Sequence, residues 1–122
     1  MGISIYYQAK RANAMTESEK DAIDQLCAKY AIEERLKEYF ESGKGLNWES
    51  FTVFRSTGGQ VIFEGATKLP DNSGDAIWHG VQHWCNLLTE IRWALPHASW
   101  SVHVEDHPIA WDEQLQRYDP SL

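Results

Sequence analysis

Apolar and polar residues alternate near the start of the chain, where Ile3, Ile5 and Tyr7 interleave with Ser4, Tyr6 and Gln8. A two-residue period predicts a half-buried β-strand. Residues 11–15 are polar and read as a loop. Thr16-Glu17-Ser18-Glu19 then matches the S/T-x-x-E capping box, in which hydroxyl and carboxylate each satisfy an orphan amide at a helix start. In the helix that follows, Ile23, Leu26, Cys27 and Tyr30 share one side. Ile32, Leu36, Tyr39 and Phe40 fall on a different side. One straight helix cannot bury both sets, so a break or a second short helix is expected near Ala31. Gly43 and Gly45 end that segment.

Phe51-Thr52-Val53-Phe54 and Val61-Ile62-Phe63 have the composition of strands, and Ser56-Thr57-Gly58-Gly59 supplies a hairpin turn between them. Lys68 to Gly74 is a loop, and Asp75 is expected to cap the next helix. That helix stops before Pro96, since the residue preceding proline resists helical geometry. Trp100, Val102 and Val104 alternate with polar positions and predict a last strand. Beyond Pro108, Trp111, Leu115 and Tyr118 stand at helical spacing and predict a short terminal helix.

The order β-α-β-β-α-β, with a helical insertion near 32–42 and a C-terminal tail, predicts one α+β domain over 1–122. The expected fold is ferredoxin-like, an antiparallel sheet with both long helices on one face. If Ile3, Ile5, Trp100 and Val102 face the helices, then Ser4, Tyr6, Gln8, Ser101, His103 and Glu105 point to an open face.

Composition sharpens this picture. A chain of 122 residues can bury a core without disulfides or metal. Six Trp, five Tyr and four Phe are more rings than so small a core needs, so some are expected at the surface. The net charge of −7 disfavours contact with phosphate backbones and excludes direct nucleic-acid binding, while a basic protein partner fits. Cys27 and Cys85 form no CxxC pair and read as reduced thiols. No leader pattern and no run of membrane-spanning length is visible, so a cytoplasmic protein is expected.

The richest stretch for chemistry is DAIWHGVQHW, from Asp75 to Trp84. On a helical wheel Ile77, Val81, Trp84, Leu88, Ile91 and Leu95 form the buried stripe. His79, His83, Asn86 and Glu90 lie opposite, with Trp93 beside them. Two imidazoles one turn apart and facing water suit zinc or copper. However, Gly80 stands where the metalloprotease motif H-E-x-x-H carries its general base, and no third ligand is fixed nearby by sequence. The stretch reads as a polar or partner-binding helix face, and no metal or cofactor is expected. His103 and Glu105 share a strand face and could form an acid–base pair, yet no activated nucleophile accompanies them, and the glycines form no nucleotide-binding motif. Asp71 to Asp75 lacks the spacing of a calcium loop.

The expected function is a small, acidic, non-catalytic protein-binding protein: an inhibitor, an immunity-type protein or an assembly subunit. Its contact surface would be the open sheet face around Tyr6, Gln8, His103 and Glu105, or the helix stripe His79, His83, Asn86, Glu90 and Trp93. A homodimer made by sheet pairing would fit the same reading. The alternatives are an enzyme or small-ligand domain using His103 with Glu105, and metal binding through His79 and His83.

Overall fold

A computed structural model describes residues 2–54 and 60–121. The chain runs β1 (Ser4–Lys10), α1 (Glu17–Lys29), α2 (Glu33–Ser42), β2 (Val61–Lys68), α3 (Ala76–Ala94) and β3 (Ser99–Val104). Three short strands follow: β4 (His107–Pro108), β5 (Ala110–Asp112) and β6 (Arg117–Asp119). The fold is mixed α+β. Strands β2, β1, β3 and β4 form an antiparallel sheet in that order, and β5 pairs with β6 separately. Because β2 and β3 are both antiparallel to β1, they run parallel to each other with β1 between them.

The alternation in β1 fixes the faces. Ile5, Tyr7 and Ala9 are buried toward the helices, whereas Tyr6 keeps 37% of its surface and Gln8 is half-buried. Tyr7 lies opposite Gly65 on one side and Val102 on the other. From the helix layer, Val81, Trp84, Leu88, Ile91 and Leu95 meet that face. Each large apolar side chain so covered contributes roughly 1.5–3 kcal/mol.

Local chemistry sets the helix ends. At α1 the capping box forms in full: Thr16 Oγ accepts from the Glu19 amide, and the Glu19 carboxylate accepts from the Thr16 amide. The expected break occupies residues 30–32, and α2 ends at Gly43 with φ of 72°. Helix α3 ends at Leu95, before Pro96. Asp75 does occupy the N-cap position of α3, but its carboxylate makes no capping bond and binds His79 and Ser73 instead. Ile77, placed in the buried stripe by the wheel, is only half-buried.

Two expected elements differ. The segment 51–54 is not a strand, and among the described residues its one ladder contact is an isolated bridge from Phe54 to Glu64. Side chains have taken the main-chain groups that pairing would need. Thr52 O accepts from the Tyr7 hydroxyl at 2.5 Å, and the Thr52 amide donates to Thr67 Oγ at 3.2 Å. The hairpin turn expected at 56–59 lies outside the described residues. The terminal helix is instead the β5–β6 hairpin, with Trp111 directly opposite Tyr118. Asp112 turns that hairpin by accepting from the amides of Gln114 and Leu115, an Asx-type turn that competes with helix. The aromatic cross-strand pair favours the sheet geometry.

Candidate functional site

The open face of the sheet carries a compact polar and aromatic set. Tyr6 is paired with Ala66 and His103, and Gln8 with Glu64 and Ser101. The rings of Tyr6 and His103 stack, with centroids 5.1 Å apart and planes 16° from parallel. Beside them Gln8 Nε2 donates to the Glu64 carboxylate at 3.1 Å. Phe54 borders the same shallow depression of about 240 Å³ and is half exposed. Alternation puts Tyr6 and Gln8 on this face, and the β1–β3 register sets His103 directly beside Tyr6.

Glu105 does not join them as an acid–base partner. It sits in the β3–β4 turn with φ of 49°, and its carboxylate accepts from the Ser4 amide at 2.9 Å. His103 Nδ1 lies 2.6 Å from the Glu105 carbonyl oxygen, which can only accept, so Nδ1 carries the proton. The imidazole is oriented by main chain, and the carboxylate is spent elsewhere.

The helix stripe is not one exposed face, because α3 is covered on two flanks. His79 is exposed, and its Nε2 bonds the Asp75 carboxylate at 3.0 Å. His83 is half-buried: Nε2–H donates to the Tyr30 carbonyl at 2.8 Å, and the ring packs edge-on against Trp48 and Trp84. Burial lowers its pKa and favours the neutral ring, against the opposing pull of the Tyr30 carbonyl. Glu90 accepts from the Tyr30 hydroxyl and pairs with Lys29 at 3.0 Å, which fastens α1 to α3. The Tyr30 bond holds Glu90 below the usual carboxylate range, and burial raises Tyr30 to about 12. Asn86 lies at a separate cleft with Arg117 and Asp119. Trp93 is 57% exposed and donates from Nε1 to the Gln116 carbonyl at 2.8 Å. Each imidazole thus has one nitrogen engaged by a protein oxygen. Among the described residues no three His, Cys, Asp or Glu side chains converge as a metal centre.

What the stripe does form, at its N-terminal end, is a cleft of about 400 Å³. It is lined by His79 and His83 from α3, by Arg35 and Glu38 from α2, and by Lys44, Leu46 and Trp48 from the loop that follows α2. The loop bearing Trp48 is anchored by Asn47. Its side chain donates to Asp71 at 2.7 Å and accepts from the Asp71 and Asn72 amides, while Asn72 donates to the Gly45 carbonyl. Arg35 lies over the Trp48 ring at 5.3 Å. No periodicity marks Arg35, Lys44 or Trp48, since long-range contacts place them: the Asn47 bonds to Asp71 and Asn72, and the packing of Trp48 against His83 and Trp84 of α3.

Compared with family models, curated proteins and solved structures, the chain matches none. Among the described residues no helix is long and apolar enough to cross a membrane.

Proposed function

We propose that the chain is a non-catalytic protein-binding protein of the inhibitor, immunity or assembly-subunit kind, docking through the open face of its sheet. The observation that carries this reading is the Tyr6–His103 stack, held on the outer face of two paired strands and presented to water. Aromatic rings on a rigid platform are the usual anchors of protein interfaces. Glu64 beside the stack and the net charge of −7 suit a basic partner, with charge governing encounter rate more than final affinity.

The ferredoxin-like reading belongs to this proposal. It is supported by α3 joining β2 to β3 across β1, and by the Phe54–Glu64 bridge beyond β2, where a second strand would stand. A cytoplasmic setting is supported by Cys27 and Cys85 both being free thiols.

The test uses Tyr6→Ala combined with His103→Ala. The partner is first isolated from the native host on the unaltered chain, then purified and titrated against both forms. The expected result is loss of binding with an unfolding midpoint close to the parent's. Unchanged affinity in the double variant rejects the sheet face. A second copy of this chain as the partner would show as a dimer that the same variant dissociates.

A further inference from the structure

We infer that the cleft between α2, the 44–48 loop and the start of α3 is a binding site for a small aromatic carboxylate. This goes beyond the sheet-face reading and does not depend on it.

Size and shape come first. The cleft, about 400 Å³, is lined by Arg35, Lys44, Leu46, Trp48, His79 and His83. That is enough for a small ligand, since such pockets run roughly 300–1,000 Å³. Trp48 is 6% exposed, with Arg35 over its ring and the His83 ring meeting it at 64°, so the cleft has a fixed aromatic corner whose rim, not its covered face, is what a planar ring can reach.

Charge comes second. Among the described residues no carboxylate pairs with Arg35 or Lys44. His79 is hydrogen-bonded to the Asp75 carboxylate. Glu38 also borders the cleft, leaving an excess of cation on this wall of a chain whose net charge is −7. An unpaired guanidinium lying over an indole is placed for fork-like bonding to a carboxylate.

The third element is an acceptor. With Nε2–H given to the Tyr30 carbonyl, neutral His83 keeps its lone pair on Nδ1, and no described residue donates to it. A hydroxyl or N–H on the ligand ring would fill that bond. The walls are held in place without ligand by the Asn47 bonds to 71–72 and the His83 bond to Tyr30, which lowers the cost of ordering on binding.

The test titrates the full chain with benzoate, 4-hydroxybenzoate and benzamide, following the Trp48 indole N–H and the His83 ring protons by NMR. Expected are saturable millimolar or tighter binding of the two carboxylates, and benzamide weaker by about tenfold or more. Arg35→Gln, at an exposed position, should erase the preference for the carboxylates while the thermal midpoint holds. Lys44→Gln provides a second variant with the same expected direction. The Tyr6→Ala/His103→Ala chain should bind the carboxylates normally, so the two proposals fail separately. Absence of saturation, equal affinity for benzamide, or shifts centred on the sheet face would each overturn the inference.

Discussion

The imidazole of His83 donates its Nε2–H to the main-chain oxygen of Tyr30, 2.8 Å away, and ties the middle of α3 to the residue that caps α1. His83→Phe keeps an aromatic ring but abandons the bond, at an expected cost of about 0.5–1.5 kcal/mol. The same contact sets a pH dependence. Burial depresses the His83 pKa below its usual 6.5 in the folded state. The unfolded chain therefore takes the proton first, so this contribution is complete above about pH 6.5 and declines as pH falls through the folded value. Thermal midpoints across this range should show a flatter decline for His83→Phe than for the parent.

Thr89 links α3 to the terminal hairpin. Its hydroxyl donates to the Cys85 carbonyl at 2.7 Å and accepts from the Tyr118 amide at 3.0 Å, in a buried setting. Thr89→Val preserves shape and strands that amide, so a loss of roughly 1–3 kcal/mol is expected. Thr89→Ser, which keeps the hydroxyl, should lose clearly less in chemical denaturation.

Gly65 is required by close approach. A Cβ there would stand 2.0 Å from the Thr52 carbonyl oxygen and 2.5 Å from the Tyr7 ring. Gly65→Ala should destabilise by about 1–3 kcal/mol through overpacking. Gly74→Ala, with nothing within 4 Å of its new methyl, serves as the near-neutral comparison.

Arg11 gathers three segments. Its guanidinium donates to the carbonyls of Asn13, Ala14 and Pro96 and to both oxygens of Glu19. Together with the Thr16 amide, it holds the Glu19 carboxyl down to about 2. A depressed carboxylate contributes stability that is present above the usual 4.5 and lost as pH falls toward 2. The gap in thermal midpoint between parent and Arg11→Gln should thus be widest near neutrality and narrow below about pH 4.5. A gap independent of pH would argue against the ion pair as its source.

Features encoded by neighbours in sequence were legible, including the alternation about Ile5 and Tyr7, the Thr16–Glu19 cap, the helix break at 30–32 and the stop at Pro96. Those decided by distant partners were not. Nothing around Thr52 announces that Tyr7 and Thr67 will take its main-chain groups. The spacing of Trp111, Leu115 and Tyr118 fits a helix until the Asp112 turn and the Thr89 hydroxyl favour a hairpin. For the candidate sites, Tyr6, Gln8 and His103 followed from strand parity. His83 was misplaced because a wheel assumes one covered side, whereas Tyr30 and Trp48 close over a second flank of α3.

The strand at the middle of the sheet draws both neighbours from far along the chain: Ser4 pairs with Lys68, and Ile5 with Val104. Neither pairing can begin as a local hairpin, so each must close a long loop before any ladder bond repays that entropy. Assembly of the sheet is accordingly expected to be slow for a chain of this size, with the capped α1 helix structured well before β1 acquires its second neighbour.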